Sequence, residues 1–500
     1  MKIPPKQLRN NFPLLFVVLI FGLWFRLQGL IHGTFAFTYD VGRDLLALQN
    51  IVVAHKLPLI GATTGLQGVF YGPTWYYLLT PFFILFNGNP KGILLIIIIS
   101  GVVTAAIGFL FGYKTGGKSL GFLIGSLIAL CPVLIGISSQ IWNPNPIPLF
   151  IIITFYIVLV KLADTKKNKF LWSIFLGFTL GVIFDLEIVF GSLFLLSTVI
   201  FLFGSRLYSK QKLALLTVLA GFILIQLPRI LFEFRHSFLM TNKFFGSVSV
   251  PTQSSLFTTH ANFYRSAKVI FGLWSDTISG QNLLLGGLAV AFIVFCFTKT
   301  FRKLEKIEKL IVVYCLIVIT TYFVGFSFLN HDIESHYYVG LPVMFIVFFS
   351  LAVYLISKYL KVRYLGIAIL SIFLIANINR LNIAETFTKS TWKGDASVYR
   401  NQVQVVDYIY EDAKGRPFNY ITYTPPIFDY PYQYLFQYFG KNRYGYFPDK
   451  THRELFYLII EPDLQLPERQ TEWLRIRKGD GKVIGERVFD SGIRVEKRVH

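Results

Sequence analysis

Charge is what this sequence has least of. Asp, Glu, Lys and Arg supply 15% of its 500 residues, against 54% hydrophobic and 17% aromatic side chains, and the mean hydropathy is +0.56. Soluble domains carry about 25% charged residues, so soluble, fibrous and disordered classes are excluded. Acid is scarcer than base, 27 residues against 48 for a net charge of +21, and eleven of the 27 precede residue 382. Cysteine is nearly absent: Cys131, Cys296 and Cys315 all fall in apolar runs, which leaves no disulfide framework and makes the thiols packing groups. The first apolar run lacks a small-residue cleavage pattern after it and reads as an anchor.

What is there in abundance is apolar sequence long enough to cross a bilayer, for which about 20 residues suffice. Spans are expected at residues 12–31, 91–113, 119–137, 146–161, 170–184, 188–204, 213–231, 283–298, 310–328, 338–357 and 364–381, eleven in all. Lys and Arg alternate with them. With the N-terminus cytoplasmic, every second connection holds basic residues (Lys114 and Lys118; Lys161, Lys166, Lys167 and Lys169; Arg302, Lys303 and Lys306 among them), whereas the turns at 138–145, 185–187 and 329–337 hold none. This asymmetry fixes the parity and places the chain in the plasma (inner) membrane as a multi-pass protein. Basic residues so placed answer the bilayer and call for no nucleic acid. One more crossing at Trp75 to Phe86 would invert every later loop, so that stretch is expected to be an interfacial or re-entrant helix, with Trp75, Tyr76 and Tyr77 as an interfacial belt.

Odd parity places residues 382–500 outside, with 18 basic and 16 acidic residues. Their pattern predicts a small extracytoplasmic α/β domain: a helix at 398–413 stopped by Gly415, a strand at 418–424, a helix at 431–439, and strands at 456–461 and 483–498. The chain thus reads as an all-α polytopic membrane domain, 1–381, followed by that domain. Its tyrosines, among them Tyr420, Tyr423, Tyr430, Tyr432, Tyr434 and Tyr438, suit either stacking on sugars or packing.

Eight of the eleven early acids (Asp40, Asp44, Asp185, Glu187, Glu233, Asp276, Asp332, Glu334) fall on the outer side, so any chemistry is expected to face outward. Coupled transporters bury carboxylates at mid-span, and here the span centres are nearly free of charge. The loop of residues 32–90 opens an amphipathic helix at Asp40, with Val41, Leu45, Leu48 and Val52 at helical spacing and Arg43 and Asp44 one turn on. Asp40 reads either as an N-cap beside a solvated Arg43–Asp44 pair or as a reactive acid. Two further outer clusters are candidates to meet it. LPRILFEFRHSF brings Arg229, Glu233, Arg235 and His236 to headgroup depth, as an anion site or as an Arg229–Glu233 helix pair with snorkelling neighbours. HDIESHYYVGLP carries His331, Glu334, His336 and Tyr337, a substrate contact or a turn. A divalent metal is possible there, although the spacing is not a specific one. Asp185 and Glu187 form a second acid pair at a tight turn, where ionised groups reach water cheaply. GYKTGGKS (112–119) has the letters of a P-loop but joins two spans with no strand before it, so the match is refused and Lys114 and Lys118 read as anchors.

YDVGRD, GPTWYYLLTPFF and LFEFRH, together with the span pattern of residues 1–381, resemble the membrane glycosyltransferases of the C class. The resemblance is closest to the branch holding the dolichyl-phosphate-mannose protein mannosyltransferases and the bacterial aminoarabinose transferases, in bacterial members of family 39. It implies transfer of a sugar from a polyprenyl phosphate to an acceptor outside the cytoplasm, with Asp40 matching the first-loop catalytic acid and Arg43 a contact to the donor phosphate. The mannosyltransferases have an Asp-Glu pair there, whereas Val41 follows Asp40. The chemistry agrees with the resemblance: a phosphate leaves without a general acid, so one base and several cations suffice. Asp40 would accept the hydroxyl proton, with Arg43, Arg229, Arg235 and His236 around the phosphate; Asp44, Asp185, Glu187, Glu233, His331, Glu334, His336 and Tyr337 are candidates for a second carboxylate or substrate contacts. The residues name no certain cofactor, a divalent metal being the one candidate. The competing class is a lipid-linked sugar translocator or other multi-pass transporter, for which the few interior polar residues offer no obvious route.

Overall fold

The structure is a computed structural model of the chain. It describes all residues except 1–11, 165–168, 206, 208–212, 249–255, 330, 361–363, 382–394, 426, 452 and 453. Each of the eleven expected ranges is helical. In chain order these are α1 (Phe12–His32), α2 (Tyr39–Ala54), α3 (Thr74–Leu85), α4 (Pro90–Gly116), α5 (Lys118–Leu130), α6 (Pro132–Ile137), α7 (Ile147–Tyr156, prolonged by a π turn over Ile157–Lys161), α8 (Lys169–Leu186), α9 (Ile188–Gly204) and α10 (Leu213–Arg235). The series continues with α11 (Leu239–Val248), α12 (Leu256–Ile278), α13 (Leu283–Thr300), α14 (Lys306–Ser327), α15 (Leu341–Leu360) and α16 (Leu365–Asn377). Among the described residues, seven helices are long and apolar enough to cross a membrane. The four shorter expected spans are at Lys118–Leu130, Ile147–Lys161, Ile188–Gly204 and Leu365–Leu381.

Helix α15 runs through the centre, buried on nearly all sides from Val343 to Ile356, while α1, α10 and α13 turn Phe21, Leu216, Leu224 and Leu288 outward. Apolar side chains on the perimeter of a polytopic bundle find lipid there instead of water. Helix α3 has 12 residues, a length of about 18 Å at 1.5 Å per residue, too short for a crossing. Its Trp75 and Tyr76 are buried rather than spread along an interfacial belt. Residues 232–282, expected as loop, hold α11 and α12; α12 carries Lys268, Ser275 and Asp276 among its apolar residues and so lacks the continuous run that marks a span.

One buried cation lies near the end of the first span, which leaves the expectation of nearly charge-free span centres standing. Helix α5 stops at Leu130 because Pro132, the first residue of α6, has no N–H for the carbonyl of Ile128. Arg26 of α1, 1% exposed, supplies what is missing: Nη1 donates to Ala129 O at 2.6 Å, Nη2 to Ile128 O at 3.3 Å, and Nε to Ser138 Oγ at 2.7 Å. A buried cation is thus spread over the carbonyls of a broken helix, one of the few ways it is tolerated at membrane depth.

The C-terminal part has α17 (Tyr399–Ala413), β1 (Asn419–Tyr423), α18 (Tyr430–Phe439), β2 (Leu455–Ile460), α19 (Pro467–Ile476), β3 (Lys482–Val488) and β4 (Arg494–Val499). The sheet order is β1-β2-β4-β3, with β1 parallel to β2 and the other pairs antiparallel. All six residues of β2 are buried, as its run LFYLII requires of a central strand. The strand expected at 483–498 is two strands folded at Ser491-Gly492, and α19 was not foreseen, its stretch being mostly polar.

This part sits on one face of the bundle. Residues 33–37 pair with its start: Phe37 N donates to Ser397 O at 2.6 Å, Tyr399 N to Phe35 O at 3.1 Å, and Phe35 stacks on Tyr399 at 4.8 Å. Helix α2 lies on α18 so closely that a side chain at Gly42 would run into the backbone of Tyr430 and Pro431. The Tyr434 hydroxyl donates to Gly88 O, and Asn87 Nδ2 to Asn442 Oδ1 at 2.8 Å.

Candidate active site

Asp40 sits in the first turn of α2, behind Thr38 at the N-cap position, so it is not the cap itself. A carboxylate there meets the positive end of the helix dipole. Its Oδ1 accepts from Arg43 Nη1 at 2.7 Å, one turn on, and its side chain is 24% exposed. Asp44, by contrast, is buried and not a solvated partner. It accepts from Arg43 Nε at 3.0 Å, Arg43 Nη2 at 2.8 Å, Trp75 Nε1 at 2.8 Å and Tyr76 Oη at 3.2 Å. Burial pushes its carboxyl above the usual range, against the pull of Arg43 and the Trp75 N–H. Burial, and then the charge of Asp44, likewise raises the Tyr76 hydroxyl. The arrangement is directional: α3 fixes Asp44, Asp44 fixes Arg43, and Arg43 fixes Asp40. Arg43 gives its Nε and Nη2 hydrogen bonds to Asp44 and sets Nη1 against Asp40.

The part of Asp40 that is not covered faces a cavity of about 790 Å³, in the range of small-molecule sites. Its walls come from opposite ends of the chain. Residues 36–41 and Gln140, Ile141 and Trp142 form one side; Asp395, Gln402, Thr424, Phe428, Pro431 and Glu461 form the other. Glu461 is 5% exposed and its Oε1 accepts from Tyr432 Oη at 2.9 Å and Gln402 Nε2 at 3.1 Å. Burial pushes its carboxyl up to about 7. The buried Gln402 Oε1 has no protein donor. Three acids therefore line one cavity, the partly exposed Asp40 on the bundle and Asp395 with the buried Glu461 on the C-terminal part. Tyr432, Tyr434 and Tyr423 are buried packing groups, and Tyr420 stacks on Phe436 at 4.1 Å; Tyr430 stacks on the cavity residue Phe428 at 5.4 Å.

A second polar group flanks the first. Glu187 is buried in the turn before α9, where it caps that helix by accepting from Phe190 N; burial pushes its carboxyl up to about 7. Tyr71 lies near enough to Glu187, Tyr337 and Asp40 to feel their charges, and burial with Glu187 raises its hydroxyl. His336 packs on Trp142 at 5.3 Å and on Tyr337 at 4.5 Å. Asp40, Tyr71, Glu187, His336 and Tyr337 are thus brought to one region.

Other candidates are not. Asp185 is buried and saturated: Thr74 Oγ1 donates to Oδ2, Thr74 N follows at 3.3 Å, and Arg229 Nη2 reaches Oδ1 at 2.9 Å. It ties the start of α3 to α8 and α10, and Gly72 is obligatory because a side chain there would overlap the Asp185 carboxyl. The Arg229–Glu233 helix pair does not form. Glu233 instead takes Met240 N at 2.9 Å and Thr241 N at 3.1 Å, starting α11. Arg229 is 8% exposed and does not line the cavity; Arg235 and His236 are exposed at the end of α10, the latter stacked on Phe232 at 4.0 Å. His331 is exposed, with Nδ1 on Asp332 O at 2.9 Å, and among the described residues no three or more His, Cys, Asp or Glu converge as a metal site. Cys131, Cys296 and Cys315 are free and buried. GYKTGGKS joins α4 to α5 with no strand before it.

Trp142, Gln402, Phe428 and Glu461 escaped sequence reasoning. None sits in a motif: Gln402, Phe428 and Glu461 reach the Asp40 cavity through the docking of residues 395–464 on residues 36–41, and Trp142 through the turn between α6 and α7.

No protein-family model and no curated protein matches the sequence. Among solved structures, the chain is similar to ArnT from Cupriavidus metallidurans in the apo state, with a TM-score of 0.61 at 12% identity over 98% of each chain. It is similar to the same organism's ArnT bound to undecaprenyl phosphate, with a TM-score of 0.61 at 10% identity over 99% of each chain. At such identities the likeness is one of fold, and it extends through the bundle and the C-terminal sheet alike.

Proposed function

We propose that this protein is a membrane glycosyltransferase that moves a sugar from a polyprenyl-phosphate donor to an acceptor hydroxyl on the sheet-bearing face, with Asp40 as general base. One observation carries the reading: Asp40 is a partly uncovered carboxylate, held by Arg43 and the buried Asp44, at the wall of a cavity sized for a small molecule. The ArnT fold, one of whose structures holds undecaprenyl phosphate, supports it.

In this reading the acceptor hydroxyl loses its proton to Asp40 while its oxygen bonds to the anomeric carbon. The bond from that carbon to the phosphate oxygen breaks, and the electron pair leaves with the polyprenyl phosphate. A single displacement inverts the anomeric centre. Arg43, beside Asp40, is the nearest cation to the departing phosphate, with Arg235 and His236 as further cations on the same side; Arg229, engaged by Asp185, acts by holding α3. Residues 1–381 form the transferase domain and 382–500 an extracytoplasmic module that completes the cavity, the N-terminus being cytoplasmic. Protein reconstituted in lipid with a panel of radiolabelled polyprenyl-phosphate sugars tests the assignment. Label leaves the lipid with the native protein and not with Asp40→Asn; label that moves between leaflets without release would instead make the protein a translocator.

A further inference from the structure

The face opposite the sheet holds a second cavity of similar size, about 780 Å³. It lies one length of α4 away, 27 residues or about 40 Å from the sheet-side end of that helix. Lys114, Lys118, Lys161 and Lys306 come to its wall from three separate stretches of chain, against Asp164 and Glu305. Glu305 is already committed: Lys358 Nζ reaches its Oε1 at 2.6 Å, and it forms the capping box of α14 with Glu308. The balance of the wall is positive.

Local backbone adds to that sign. Gly117, at a φ of +82°, breaks α4 from α5, and the space a side chain would fill there is open. Helix α5 then starts without a side-chain cap and without an acid in its first turn, with Lys118 as its first residue. A lysine at a helix N-terminus stands against the dipole, a repulsion that an anion in the cavity would reverse. Lys161 is held in place over the rings of Trp172 at 4.4 Å and Tyr156 at 5.3 Å, a geometry that costs it rotamer freedom before any ligand arrives. The rest of the wall is apolar, with Leu159, Val160, Ile307 and Leu310 beside Tyr354.

We infer that this cavity binds the phosphate headgroup of a lipid, the phosphate among the lysines and the N–H groups opening α5, the chain ends along the apolar wall. Basic pockets between membrane helices are the usual receivers of such headgroups. The inference does not rest on the transferase reading, because no residue is shared between the two cavities. It also gives the rejected P-loop letters a use their context permits: Lys114, Gly116, Gly117 and Lys118 line a phosphate cavity built on a helix-to-helix turn.

The test is calorimetric titration of the full-length protein, in a non-ionic detergent, with dihexanoyl phosphatidic acid and separately with inorganic phosphate. Native protein is expected to bind the lipid phosphate, and the triple variant Lys114→Gln, Lys161→Gln, Lys306→Gln to bind it at least tenfold more weakly. Equal binding by the triple variant overturns the site. Should that variant fail to fold, Lys114→Glu alone, at an exposed position, is expected to weaken binding at least fivefold, and no change overturns the site equally. Inorganic phosphate is expected to bind at least tenfold more weakly than the lipid. If it binds as tightly, the lipid source is overturned in favour of a free phosphate.

Discussion

Two acid–arginine pairs hold the first long loop, and they differ in what is left over. At the α8–α10 junction Asp185 and Arg229 are both buried, and both carboxylate oxygens are taken, by Thr74 on one side and Arg229 on the other. At the junction with the sheet domain Arg43 bridges Asp44, which is saturated, and Asp40, which keeps part of its surface toward an open cavity. The same residue types at two junctions thus do different work. A buried pair whose carboxylate is fully engaged is a fastening, since losing one partner strands the other charge. A pair left partly uncovered beside a cavity has proton-accepting capacity to offer a ligand.

The largest effect expected on this contrast is at the fastening. Asp185→Asn or Arg229→Leu leaves an uncompensated group and is expected to cost about 3–5 kcal/mol, seen as a large drop in the detergent melting temperature. Gly42→Leu is expected next: the side chain collides with the backbone of α18, at about 1–3 kcal/mol, and turnover falls because the cavity wall is displaced. Faster proteolysis of the C-terminal part in the variant checks the displacement.

Glu461 sharpens the comparison through pH. Its folded value of about 7 lies above the ordinary 4.5, so the folded chain binds the extra proton and stability falls as pH rises from about 4.5 to about 7. The full loss is about 3 kcal/mol at 1.36 kcal/mol per unit. Glu461→Gln is expected to remove this share of the slope in melting temperature against pH and to leave the part due to Glu187. A slope unchanged in the variant contradicts the assignment. The smallest effect is expected at Trp75→Phe, which takes one of four donors from Asp44 at about 0.5–1.5 kcal/mol, read as a small drop in melting temperature, and loosens Arg43 without touching the cavity.

The bundle was legible because lipid imposes a simple rule on sequence: eleven apolar runs gave eleven helical ranges, and α17, β1, α18 and β2 followed from their caps and alternation. What broke the rule stayed hidden. Arg26 vanishes inside an apolar run because its partners are carbonyls exposed by Pro132, 106 residues away. Helix α12 is part polar and carries no run, and α19 is too hydrophilic to mark a buried face. At the site, Asp40, Arg43 and Asp44 were visible from helical spacing, but which acid is anchor and which is free depends on Trp75 and Tyr76, and no spacing announces that. Glu461 had no signal, since its cavity is made by contact across some 420 residues of chain.

The most direct test of the account compares Asp40→Asn and Asp185→Asn in parallel, each for sugar release from a polyprenyl-phosphate donor and for melting temperature. Asp40→Asn is expected to lose at least about a hundredfold in turnover, the lower bound for removing a general base, while melting as the native protein does. Asp185→Asn is expected to lose its fold stability first. Native turnover in Asp40→Asn, or a loss of stability there equal to that of Asp185→Asn, would contradict the division between a reactive and a structural acid.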